Sequence, residues 1–91
     1  MKKIDFTKLD VQVSFDGDRL TFNVAKALGN AMMFNGSILL DIGFEDLAKE
    51  IYYSTGEVVV PDEYVMAVIA VIKEMQFTAG VKRELIRMLN G

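Results

Sequence analysis

The side chains able to do acid–base chemistry in this 91-residue chain are carboxylates and little else: there are 13 Asp and Glu, no histidine and no cysteine. That excludes an imidazole base, a thiol nucleophile, a Ser-His-Asp triad, a disulfide and a zinc cluster. Asp10, Asp16 and Asp18 gather near one turn. The Asp16-x-Asp18 spacing looks on the surface like a calcium loop, but the later oxygen ligands and the closing Glu are missing. The plainer role is Asp16 shaping the turn and Asp18 in solvent. A paired-carboxylate hydrolase needs two acids facing across a cleft. Glu45, Asp46 and Glu50 instead share a helix face with Lys49, the pattern of a solvated surface. Neither G-x-G-x-x-G nor the Walker pattern occurs, so no phosphate loop is present. The expectation is a chain without catalytic, cofactor-binding or metal-ligating residues, with a carboxylate-dependent enzyme as a remote alternative.

Cations offer a second chemistry. Lys82, Arg83 and Arg87 fall on the last expected helix. With residues 74–77 as the turn, the last two helices have the order of a helix-turn-helix, whose second helix needs cations for phosphate and base contacts. Against this, Glu84 sits among them, and the whole chain carries a net charge of −3 with a pI near 4.8. Phosphate neutralisation drives affinity, so an acidic chain starts at a disadvantage. Charge is also uneven. Residues 41–63 hold seven acids against Lys49, a net −6, whereas residues 73–91 are net +2. Opposed patches of this kind can orient an association, or neutralise one another within the fold.

The elements that position these groups are readable from periodicity. Leu9, Val11, Val13 and Phe15 alternate with polar residues, as do Leu20, Phe22 and Val24, which marks two half-buried strands. Asp16-Gly17 suits a two-residue primed turn between them. That turn sets Val13 opposite Leu20, Val11 opposite Phe22 and Leu9 opposite Val24. A helix over 24–34 follows, with Asn23 as N-cap, Val24, Ala27, Leu28, Ala31 and Met32 on one side, and Asn35-Gly36 as its stop. A second helix over 44–53 buries Phe44, Leu47, Ala48 and Ile51, pairs Glu45 with Lys49 at i,i+4, and closes at Ser54-Thr55-Gly56. Residues 57–60 read as a short strand completing a three-stranded sheet with the hairpin. Its three valines suit a strand covered on both faces. Pro61 opens a helix over 61–74, although periodicity alone leaves a strand open there. A last helix spans 78–89. Residues 1–91 thus read as a single α+β domain in the order β-β-α-α-β-α-α.

Hydrophobic residues make up 52% of the chain, and the mean hydropathy is +0.26. This surplus needs either a very full core or a partner. It concentrates in the 61–74 helix. Val65, Val68, Ile69 and Ile72 form one face, Tyr64, Ala67 and Val71 another, and Met66 and Ala70 a third. A helix that is apolar all round is buried all round, or one face is a subunit contact, where Ala67 and Ala70 would admit a second helix closely. Two further apolar residues lie off their helices' buried stripes: Met33, and Tyr53 among Asp46, Lys49 and Glu50. Tyrosine and methionine are enriched at contacts, so Met33, Tyr53, Tyr64, Ala67 and Ala70 are the interface candidates. Asn35-Gly36-Ser37 fits a glycosylation sequon and reads as a plain turn.

The stretches Ala25-Lys26-Ala27-Leu28-Gly29-Asn30-Ala31 and Asp46-Leu47-Ala48-Lys49-Glu50-Ile51-Tyr52-Tyr53-Ser54-Thr55-Gly56-Glu57-Val58-Val59-Val60 resemble small proteins encoded in bacterial prophages and related mobile elements. The opening Met1-Lys2-Lys3-Ile4-Asp5-Phe6 is similar in style. The resemblance spans most of the chain and carries no catalytic motif and no site residues. It implies an accessory or assembly role.

The reading is a non-enzymatic protein-interaction or assembly module that self-associates or binds another protein. A small DNA-binding regulator is the alternative. No membrane contact is expected: the longest apolar run, 64–72, is nine residues, against about 20 for a spanning helix. Met1-Lys2-Lys3 begins like a signal n-region, but Asp5, Lys8 and Asp10 interrupt any apolar stretch. The lack of cysteine fits a cytoplasmic chain.

Overall fold

A side chain, rather than the Asp-Gly pair, shapes the loop of the hairpin. In the computed structural model, which describes residues 2–34 and 42–91, β2 (Leu9–Gln12) and β3 (Arg19–Phe22) pair antiparallel with Leu9 opposite Phe22 and Val11 opposite Leu20. That register is two residues from the one a two-residue loop would give. The Val13 N–H donates to Asp18 O at 2.8 Å beyond the strand ends, which leaves a loop of four residues, 14–17, organised by Ser14. The Asp18 N–H donates to Ser14 Oγ at 3.3 Å, and Ser14 Oγ donates to Asp18 Oδ2 at 3.0 Å. The Gly17 N–H reaches Ser14 O at 3.3 Å. A primed turn needs two positive φ angles, and only Gly17 has one, at 96°. A shift by two keeps every side chain on its face, so Leu9 and Val11 remain buried. Val24, expected opposite Leu9, instead donates its N–H to Phe6 O at 2.8 Å.

No three-stranded sheet forms among the described residues. They hold two separate two-stranded antiparallel sheets. β4 (Val58–Val60) pairs with β1 (Lys2–Ile4), an element the sequence reading did not contain, and not with the hairpin. The pairing sets Ile4 opposite Val58 and Lys3 opposite Val59. Ile4, Val58 and Val60 are buried and Lys3 and Val59 exposed, so the valine strand is covered on one face only.

All four helices form. α1 (Ala25–Phe34) starts where the Asn23 side chain accepts from the Ala25 N–H at 3.2 Å. Its expected stop at Asn35-Gly36, and the Asn35-Gly36-Ser37 turn, lie outside the described residues. α2 (Ile42–Tyr52) buries the four residues the stripe predicts, and its Glu45–Lys49 pair is 3.5 Å apart. α3 (Asp62–Glu74) follows Pro61 directly. α4 (Ala79–Asn90) is capped by Thr78, which accepts from the Val81 N–H.

α1 packs most closely on α2, α3 lies against α4 and α1, and α4 reaches β1 and β2. The shared core includes Phe6, Leu9, Leu28, Met32, Phe44, Ile51, Ile72 and Leu85. α3 is not buried all round. Val68, Ile69, Val71 and Ile72 are buried, whereas Met66 is 71% exposed. No described helix is long and apolar enough to cross a membrane.

Candidate functional site

A groove of about 400 Å³ runs between α1 and α2. Gly29, Asn30, Met33 and Phe34 line it from α1, and Ala48, Lys49, Tyr52 and Tyr53 line it from the end of α2. Its floor exists because of Gly29. A Cβ at that position would stand 2.7 Å from Tyr52 Cβ and 2.9 Å from the Ala48 carbonyl oxygen. Glycine therefore lets the two helices approach backbone to backbone, at a cost in helix propensity of about 1 kcal/mol relative to alanine.

The walls are aromatic. The Tyr52 and Tyr53 rings meet edge to face, 4.9 Å apart. The Lys26 ammonium lies 4.4 Å from the Tyr52 ring centroid, an attraction worth about 0.5–1 kcal/mol at an exposed site. Phe34 and Tyr53 stand at the rim about three-quarters exposed, with Ile42 similarly exposed nearby in sequence. The groove thus joins Met33 and Tyr53, two residues that the sequence singles out separately.

The other candidates lie elsewhere. Tyr64 packs its ring against Phe44, centroids 5.8 Å apart at 60°, which ties α3 to α2. Ala67 and Ala70 are half-buried on α3. Two of the three cations of α4 make surface contacts within the chain. Lys82 Nζ donates to Lys73 O at 3.0 Å, closing the end of α3, and Arg87 pairs with Glu84. That contact holds the Glu84 carboxyl below the usual carboxylate range and pushes Arg87 up. Arg83 remains exposed beside the hairpin.

The carboxylates do not converge. Asp10 pairs with Arg19 at 3.0 Å, Asp18 with Ser14, and Asp16 is exposed at the loop. Asp5 accepts from the Thr7 hydroxyl and from the Thr7 N–H at 2.9 Å, chiefly the former lowering its pKa. No charged or polar side chain among the described residues is fully buried, and none of their acids form a metal-holding cluster of three or more.

A second apolar surface lies on the hairpin. The face that carries Leu9 and Val11 into the core continues past it, leaving Val13 and Leu20 about half exposed and Phe15 fully so. Beside it an open depression of about 370 Å³ is lined by Gln12, Val13, Ser14, Phe15, Gly80 and Arg83. Sequence reasoning missed this overhang because a two-residue turn ends the strands further out. It missed Gly29 too, although a glycine inside an amphipathic helix is itself a sign of close packing.

The fold and groove define a small α+β protein with exposed apolar side chains at its surface. No family model, curated protein or solved structure matches the chain.

Proposed function

We propose that this chain is a non-enzymatic protein-interaction module that acts in the cytoplasm by self-association. The observation that carries the reading is the pooling of exposed aromatic and aliphatic side chains at two places: the α1–α2 groove with Phe34 and Tyr53, and the overhanging hairpin with Val13, Phe15 and Leu20. Scattered apolar residues are ordinary on a surface, whereas clusters beside a groove mark contact sites. The resemblance to prophage-encoded proteins fits an assembly role, and virion-assembly genes flanking this one would support it.

Light scattering over a broad concentration range tests the proposal. The expected result is a mass that rises with concentration, and a strict monomer would overturn it. Salt-sensitive binding of duplex DNA that weakens on Arg83→Ala would favour the regulator instead. Lys82 already closes the end of α3 and Glu84 stands beside Arg87, so α4 presents a mixed rather than a purely cationic face.

A further inference from the structure

The two apolar surfaces differ in shape. One is a projection and the other a groove, and they share no lining residue. We propose that copies associate head to tail, the hairpin loop of one entering the α1–α2 groove of the next with Phe15 leading. This rests on the self-association reading and specifies its geometry.

The loop is built to present Phe15. Ser14 and Asp18 bridge its base, Gln12 Nε2 donates to Ser14 O at 2.8 Å, and Gly17 takes the positive φ that closes it. A braced loop loses little freedom on docking, which favours binding. The groove, about 400 Å³, falls within the roughly 300–1,000 Å³ of pockets that enclose small ligands. It is large enough for a phenyl ring and part of the loop behind it.

Charge selects the occupant. Among the described residues Lys49 is the one charged side chain that lines the groove, and Lys26 sits over Tyr52 on its wall. No carboxylate of the described residues lines it, although residues 41–63 are strongly acidic as a segment. The loop carries Asp16 and Asp18 on either side of Gly17. Docked head to tail, these acids approach Lys26 and Lys49. Lys49 is engaged with Glu45 only through an exposed pair at 3.5 Å, which holds it weakly.

The symmetric alternatives are less favourable. A two-fold contact brings the same patch against itself. Hairpin on hairpin sets Asp16 and Asp18 near their own copies, and groove on groove does the same with Lys26 and Lys49. Like charges so placed oppose association. A head-to-tail contact avoids both and lets each copy use both surfaces, giving chains or closed rings.

A complementation experiment tests this. Phe15→Ser removes the projection, and Tyr53→Glu places an acid at the groove. Both side chains are exposed, and circular dichroism checks that both variants fold. Each variant alone is expected to associate at least roughly thirtyfold more weakly than wild type, the scale of a central contact residue. Mixed in equal amounts they should form a one-to-one heterodimer and nothing larger, because one intact projection meets one intact groove. A heterodimer absent from the mixture, or either variant associating like wild type, overturns the head-to-tail contact. If wild type itself associates, self-association still stands. A wild type that stays monomeric overturns both.

Discussion

Replacing Gly29 by alanine tests the feature on which the groove depends. The added Cβ would stand 2.7 Å from Tyr52 Cβ, 2.9 Å from Ala48 O and 3.0 Å from Tyr52 Cα. These neighbours belong to the helix itself and cannot swing aside. Reaching an ordinary contact of 3.4 Å from 2.7 Å requires α1 and α2 to part by about 0.7 Å at this point. Overpacking of this kind costs about 1–3 kcal/mol, and contact with main chain places it in the upper half of that range. Alanine returns about 1 kcal/mol of helix propensity. The net expectation is a loss of about 1–2 kcal/mol, a fall in Tm of roughly 5–15 °C for a domain of this size. Thermal unfolding followed by circular dichroism reads it, at a protein concentration low enough that association adds no stability. Gly56→Ala is the control, since its Cβ meets nothing within 4 Å. An unchanged or raised Tm for Gly29→Ala would refute the argument that a glycine-mediated contact sets the spacing of the two helices.

Three further outcomes are expected. Thr78→Ala removes the acceptor of the Val81 N–H, and that bond is long at 3.4 Å, so chemical denaturation should show a loss near the lower end of the roughly 0.5–2 kcal/mol for such caps. Asp5 is held below its ordinary pKa mainly by the Thr7 hydroxyl, and Glu84 by Arg87. Folding therefore favours their ionised forms. That stabilisation is complete above the unfolded values and is lost as the pH falls through the folded ones, below about pH 4. Thr7→Val should raise the Asp5 pKa in an NMR titration, and an unmoved titration would remove the cause assigned to it. On α3, Met66→Lys should change stability by less than about 0.5 kcal/mol, whereas Ile69→Ala, at a buried position, should cost about 2–5 kcal/mol in the same denaturation assay.

What the sequence disclosed follows from how far each determinant acts. α2 was legible because its stripe and its Glu45–Lys49 pair are local. The start of α3 was legible because Pro61 acts on the residues beside it. The hairpin's inward face was legible, since a period of two fixes it. Its register was not, because Ser14 and Asp18 form a longer loop whose bonds compete with the Asp-Gly signal. β1 was missed because three residues, two of them lysine, show no pattern until Val58–Val60 pairs with them across most of the chain. Met33 and Tyr53 stood out as off-stripe residues. That they line one groove depends on how α1 meets α2, which Gly29 sets. The apolar surplus of α3 left full burial and an outward contact face both open, because periodicity does not say how much of a helix lying on the core stays outward; here Met66 occupies the outward face.

The central claim is that the exposed apolar surfaces serve a second copy of the chain. Sedimentation equilibrium of the wild-type protein, from dilute to concentrated solution at moderate salt, tests it most directly. The account predicts a weight-average mass that starts at the monomer's 10.2 kDa and climbs steadily with concentration. A mass that stays at 10.2 kDa to the highest concentration would contradict it.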